Sequence, residues 1–376
     1  MDLAFEKCIQ RTNFYLKLIG FYITSEDSKR SVLQRLRHQW RCVIHIFSLN
    51  ISILGEFLWF IDGVATGKSL LEFTYFIPCL TLCLLGIYKV YYLVIYIHHV
   101  NDVIDRLRKL YSRRKDDGED SKWVRFLGTV FKILLFAESQ GVISFAVGPL
   151  VIMSTHYYKT GEIEFKLPFF IWYPFDALNA KYWPFVYIHQ LWSAWVVVLS
   201  VYGPDCFFLT CCTFIHIQFK SLHYEMKGIV KEETNDNSFK AEFVELVNRH
   251  RELIRYVCFY SRLYIHVGVS TCAVNTAFND FTLTAPFIGF LLFGLLQIYF
   301  YCYFGDKIIT SLFYSYNRDI YRFTNYNNVR LIYFYFRAQR PCKLTAYGFA
   351  DIDLTAFTKI LSTSWSYFAL LKQMYD

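Results

Sequence analysis

Seven largely apolar stretches alternate with charged or polar ones along the chain. They cover residues 43–61, 73–97, 126–153, 185–217, 263–284, 286–304 and 354–371. A helix of about 20 apolar residues crosses the ~30 Å hydrocarbon core of a bilayer. The pattern therefore predicts an all-α protein with seven membrane spans. The fourth stretch is long enough to tilt or to project beyond the bilayer. Between the spans, residues 1–42 form a charged, amphipathic segment, and 98–125 are charged. The loop 154–184 is polar and aromatic, 218–262 is charged again, and 305–351 is mixed, with a helix predicted over 324–338.

Composition agrees with the bilayer as solvent. Over 376 residues, 55% are hydrophobic and only 19% charged, with a mean hydropathy of +0.27. A soluble domain of this size carries more charge to cover its surface. Of 39 Lys and Arg, 31 fall in the first segment and the alternate loops 98–125, 218–262 and 305–351, against five on the other side. The positive-inside rule then puts the N-terminus in the cytoplasm, and seven spans put the C-terminus outside. No secretory leader is read at the start, because Asp2, Glu6, Lys7, Arg11 and Lys17 interrupt any apolar core there. The eleven cysteines mostly sit in apolar runs and read as buried. Neither an internal repeat nor a Gly-, Ser- or Pro-rich linker divides the chain, so residues 1–376 read as one domain.

Several function classes drop out. Seven spans invite a G-protein-coupled receptor, but the orientation is inverted, and loop 154–184 has no cysteine to tie it to the third span. The sequon Asn50-Ile51-Ser52 lies within span one. The motifs HExxH, GxSxG, GxxxxGK[ST] and GxGxxG are absent, which argues against an enzyme and implies no cofactor. His98 and His99 are adjacent, hence about 100° apart on a helix, and form no shared metal-ligand face. The basic residues follow the positive-inside bias and suit anionic lipid rather than nucleic acid.

The last span carries the most informative pattern. Thr355, Thr358, Ser362, Ser366, Ala369 and Gln373 recur every three or four residues and share one face. Phe357, Leu361, Phe368 and Leu371 lie opposite, and Leu370 flanks the stripe. One reading is close helix packing through small residues. The other is a water-lined wall with Leu370 as a dewetting gate, which needs several copies around an axis. Three carboxylates, Glu56, Glu138 and Asp205, fall within spans, where such groups face a bundle interior or water and find partners. Asp205 follows Gly203-Pro204, where a helix break is expected. A neutral ligand does not require a carboxylate; an amine would favour one.

The C-terminal motifs narrow the reading. Cys302-Tyr303-Phe304-Gly305, Gln339-Arg340-Pro341, Leu344 to Phe349, Phe357 to Leu361 and Ser364 to Leu371 stand in an order and spacing that resemble the insect odorant receptor family. The motifs cover roughly the last 75 residues; topology and length agree over the rest. The resemblance implies a tetrameric, ligand-gated, non-selective cation channel at the plasma membrane of an olfactory neuron dendrite, with the last helix lining the pore. Residues 1–323 would form the ligand-binding bundle, and 324–376 the cytoplasmic anchor and pore helix. Leu370 matches the gate position, though the family often has Val there, and Gln373 matches the outer pore mouth. The short loop 218–262 implies a tuning subunit that pairs with an odorant co-receptor.

The family pocket lies among the second, third, fourth and sixth spans in the outer half of the bilayer. Depth there selects Phe73, Tyr75, Phe76 and Leu80; Ile143, Ser144 and Val147; Tyr187, Leu191, Trp192 and Trp195; and Phe287 and Phe290. Such aromatic and apolar side chains, with single hydroxyls as polar handles, suit a small volatile ligand, and the resemblance points to a mosquito-type receptor for small aromatic volatiles. The same residues also suit an interfacial aromatic belt. A gustatory-type channel is the alternative. Ser366-Tyr367-Phe368 with Gly348-Phe349 favours the odorant type. A secondary transporter would show repeated halves.

Overall fold

The computed structural model describes residues 3–23, 31–68, 70–112, 120–231, 281–317, 345–346 and 350–375; at some of these positions, among them 70–78, 226–231, 281–288, 290, 312–317, 364–365 and 367–375, it describes the helix path and not the side chains. The helices are α1 (Leu3–Leu18), α2 (Val32–His38), α3 (Trp40–Thr66), α4 (Leu70–Ile95), α5 (Ile97–Ser112), α6 (Asp120–Thr160), α7 (Trp183–Lys231), α8 (Phe281–Asn317) and α9 (Leu354–Tyr375). A two-residue hairpin, β1 (Thr345–Ala346) with β2 (Ala350–Asp351), pairs antiparallel, Thr345 opposite Asp351. Six of the expected spans fall on α3, α4, α6, α7, α8 and α9. The fifth span lies outside the described residues apart from 281–284, which open α8, and the helix expected over 324–338 lies outside them too.

Helix α7 is the central post. In its most apolar 18-residue stretch 94% of residues are buried, against 28% for α3 and 39% for α6. A helix apolar on all sides is buried on all sides, and α1, α4, α6 and α8 pack around this one. That surrounding also corrects the expected break at Gly203-Pro204. Helix α7 runs through both residues. Pro204 removes one backbone hydrogen bond, but the helix continues through it among packed neighbours. Gly203 has a separate use. A Cβ there would come within 2.7 Å of Leu16 Cδ2, so the bare backbone seats α1.

Helix α1 was expected in a cytoplasmic segment, and it is docked. Phe5, Ile9 and Leu16 are buried. Thr12 Oγ1 lies 3.3 Å from Thr210 Oγ1, and the Tyr15 and Tyr202 rings meet edge to face at 4.7 Å. The charged stretch after the second span is also more ordered than a loop. It holds α5, bent 72° from α4, whose Val100, Val103, Ile104, Leu107 and Leu110 form one buried stripe. Arg108 Nε donates to Glu6 Oε1 at 2.5 Å and ties α5 to α1.

Helix α9 leans on α8. Asp353 Oδ1 accepts from Ala356 N–H at 2.7 Å, an N-cap that starts the helix. The ring of Phe357 meets Tyr299 edge to face at 5.4 Å. Just before α9 the chain crosses Gly305 so closely that a Cβ would lie 2.1 Å from Ile352 O. Only glycine fits there, which gives a physical reason for the glycine in the Cys302–Gly305 motif.

Candidate ligand cavity and the exposed face of the last helix

A mostly apolar cavity opens among the helices, as small-molecule sites do. Helix α3 contributes Leu49, Ser52 and Glu56; α4 Cys79, Leu82 and Cys83; α6 Glu138, Val142 and Phe145. The long face comes from α7: Gln190, Ser193, Ala194, Val197, Val198 and Val201, spaced by three or four residues and mostly small. Phe293 closes the α8 side, and Phe169 and Ile171 come from the α6–α7 connection.

That connection is built as a lid. Gln190 binds its backbone twice: Phe169 N–H donates to Oε1 at 2.9 Å, and Nε2 donates to Phe169 O at 3.2 Å. Trp172 N–H donates to Gly55 O at 3.0 Å, and a Cβ on Gly55 would lie 2.5 Å from Ile171 Cγ2. The ring of Phe169 stacks on Phe145 at 4.9 Å, and Trp59 stacks on Phe170 at 4.8 Å. The lid is thus fastened to α3, α6 and α7 together.

Most polar atoms on the wall already have partners. Ser52 Oγ and Ser193 Oγ are 3.0 Å apart, and Gln190 serves the lid. The exceptions are carboxyl oxygens. Glu138 Oε1 and Oε2 and Glu56 Oε2 are buried with no hydrogen-bond partner among the described residues.

Beneath the cavity lies a different polar group. Val201 and Phe293 line the floor; Asp205 and Gln297 follow each by four residues, on the same helix faces about one turn further on. Asp205 is paired with Lys89 of α4 and accepts from Tyr301 OH. Gln297 Nε2 donates to its other oxygen at 2.5 Å. The network joins α4, α7 and α8, and Glu138 lies within electrostatic reach of Lys89 and Asp205.

On α9, Thr355, Thr358, Ser362 and Ser366 are exposed, whereas Ala356, Phe357 and Ile360 are partly buried. The hydroxyl stripe therefore does not pack the helix against the described part of its own bundle. Its hydroxyls turn back to the helix: Thr358 Oγ1 donates to Thr355 O at 2.8 Å and Ser366 Oγ to Ser362 O at 3.0 Å. The side chains of Ala369, Leu370 and Gln373 lie outside the described residues.

The family model for the 7tm Odorant receptor matches residues 69–365. The chain belongs to the 7tm odorant receptor family. It is thus a multi-pass membrane receptor and not an enzyme, and of the two chemosensory types considered it is the odorant one. Among curated relatives, the receptor is 21% identical to odorant receptor 85b of Drosophila melanogaster over 98% of this chain and 99% of that one. It is 20% identical to odorant receptor 67c of the same species, over 88% and 86%. The solved olfactory receptor OR5 from Machilis hrabei, in complex with eugenol, shares the fold with a TM-score of 0.77 at 16% identity, covering 98% of both chains.

The residues expected around the receptor's ligand fall on neighbouring faces. Trp192 and Trp195 are 53% and 42% exposed, and Ile143 and Val147 are 46% and 47% exposed; all four point outward from the bundle. Tyr187 is buried, donating to Ala146 O, but does not line the cavity. Leu80, Ser144 and Leu191 are partly buried and also off the wall. The side chains of Phe73, Tyr75, Phe76, Phe287 and Phe290 lie outside the described residues. The small-residue stripe on α7 was the available sequence signal. Space is left where side chains are small, not where they are large. The lid residues Phe169 and Ile171 carried no periodic signal at all.

Proposed function

We propose that this receptor is the odorant-binding subunit of a ligand-gated, non-selective cation channel. A small volatile molecule occupies the cavity beneath the lid, and four subunits, some of them an odorant co-receptor, surround a pore lined by α9. The N-terminus is cytoplasmic, in keeping with the positive-inside bias, and the assembly sits in the plasma membrane. The observation that carries the reading is the largely apolar cavity held between α3, α4, α6, α7 and a fastened lid. On this orientation it lies toward the outer side, where the α6–α7 connection is.

The exposed hydroxyl stripe supports the pore part. Thr358, Ser362 and Ser366 meet no partner helix within the described chain, and a ring of such faces around an axis would be wet. In this reading Ala369 continues that wall, Leu370 is the gate and Gln373 stands at the outer mouth. Ligand-driven motion reaches α9 through α8, whose Phe293, Gln297 and Tyr301 face the cavity and the Asp205 network and whose Tyr299 touches Phe357.

The test is whole-cell current during odorant application, in cells expressing the chain alone and with an insect odorant co-receptor. A current that needs both chains, reverses near zero millivolts and persists without G-protein nucleotides is the expected result. Current from this chain alone would remove the co-receptor from the proposal. Leu370→Ala should raise basal current; unchanged basal and evoked currents would remove the gate assignment.

A further inference from the structure

The buried acidic and basic groups of the bundle do not pair off. Among the described residues, three buried carboxyl groups, Glu56, Glu138 and Asp205, share one buried ammonium, Lys89. Lys89 is committed to Asp205. Glu56 and Glu138, 4% and 5% exposed, instead border the cavity, and three of their oxygens lack hydrogen-bond partners. Leaving such groups unmatched is costly, and a buried polar atom without a partner needs an explanation. Among the other polar side chains described on the wall, Ser52 and Ser193 bond each other, and Gln190 is engaged with Phe169.

We propose that the cavity is built for a basic volatile ligand, a small amine whose nitrogen meets Glu138, with Glu56 as the second acidic wall group. The proposal rests on the cavity being the ligand site. An amino nitrogen suits a carboxyl group in either protonation state. As an ammonium it donates to a carboxylate, and as a free base it accepts from the acid. A primary ammonium carries three N–H donors, where a hydroxyl carries one. Charge-assisted pairs are also the stronger hydrogen bonds, the more so away from water. The apolar remainder, Val142, Val197 and Val198 with Phe145 and Phe169, then accommodates a hydrocarbon or aromatic body. Neutral ligands would fill the same space and leave the carboxyl groups unmatched.

The test compares benzylamine, benzyl alcohol and toluene as probes on the full chain co-expressed with an insect odorant co-receptor. Benzylamine should act, as agonist or as blocker of an agonist, at concentrations about tenfold or more below those of toluene, the strength expected of a charge-assisted bond. Glu138→Gln should abolish that preference, bringing benzylamine and toluene to within about twofold of each other. Glu138→Asp should restore part of it, which a merely structural role would not do. Absence of the preference in the unaltered receptor, or its survival in both Glu138→Gln and Glu56→Gln, overturns the proposal. Ala194→Trp, which fills the cavity, separates the two levels. If it silences all three probes while the glutamine variants keep the amine preference, the cavity stands and the amine falls. If the probes still act on it, the cavity itself is not the site and both fall. Should Glu138→Gln not reach the surface, or should no probe evoke or block current, thermal unfolding of the purified, co-expressed receptor decides. Stabilisation by benzylamine and not by toluene supports the proposal, and stabilisation by neither overturns it.

Discussion

Asp205 and Glu138 are buried carboxyl groups in one bundle, within electrostatic reach of each other, and their surroundings differ completely. Asp205 has a lysine, a tyrosine and a glutamine around it. Glu138 has no hydrogen-bond partner among the described residues and borders the cavity. The difference separates holding a fold from holding a ligand. A group that stabilises helix packing is satisfied before anything binds. A group meant for a ligand is satisfied only afterwards, and the free receptor carries that cost.

The sharpest test of this comparison acts on the satisfied side. Asp205→Ala strands the Lys89 ammonium in the interior, and removing one partner of a buried pair costs about 3–5 kcal/mol. Thermal unfolding of the purified receptor should show that loss, with surface delivery falling in step. Replacing both partners, Lys89→Met with Asp205→Leu, should recover most of the stability. Equal loss in the single and double variants would mean that Tyr301 and Gln297, not the ion pair, hold the three helices.

A smaller effect is expected at the lid. Gly55→Val puts side-chain carbon where Ile171 Cγ2 now lies and pushes on the segment that Trp172 anchors. Overpacking of this kind costs about 1–3 kcal/mol. Loss of odorant sensitivity at near-normal surface level is the expected outcome. A full-strength response at unchanged concentration would show that the lid does not close the ligand site. Smaller again is the effect of Glu138→Gln on stability. No described bond is lost, so the unfolding midpoint should fall by less than the equivalent of about 1 kcal/mol, or rise. A fall as large as that of Asp205→Ala would erase the contrast between the two carboxyl groups.

Sequence reasoning reached the architecture because bilayer thickness and charge asymmetry act on long, uninterrupted stretches. The six spans that fall among the described residues stand on helices, and the odorant receptor family was legible from short motifs near the end, one of whose glycines sits against Ile352 O. The cavity was less legible for a physical reason. Periodicity tells which residues share a helix face, but not which face turns inward when all faces are apolar, as on α7. Choosing aromatic residues for the wall selected Trp192 and Trp195, whereas the space lies beside Ser193, Ala194 and Val197. The partners of Asp205 were hidden as well. Lys89, Gln297 and Tyr301 are 116, 92 and 96 residues away along the chain, and only packing brings them together. The α6–α7 lid has no repeating pattern, and its position depends on single bonds to Gly55 and Gln190.

The smallest predicted effect is the most discriminating for the cavity itself. Trp192 and Ser193 are neighbours in sequence, turned about 100° apart on α7. Trp192 is half exposed and touches the His45 ring at 5.2 Å; Ser193 is buried and bonded to Ser52. Trp192→Ala, on the outward face, should change stability by about 0.5 kcal/mol or less and leave odorant sensitivity where it was. Ser193→Ala loses a buried hydrogen bond, worth about 1 kcal/mol, and alters the wall that a ligand would touch. Dose–response curves for both variants at matched surface level therefore read the register of α7. A shift for Ser193 alone keeps the ligand inside the bundle. A larger shift for Trp192 would move it to the lipid-facing side, where the aromatic residues first pointed.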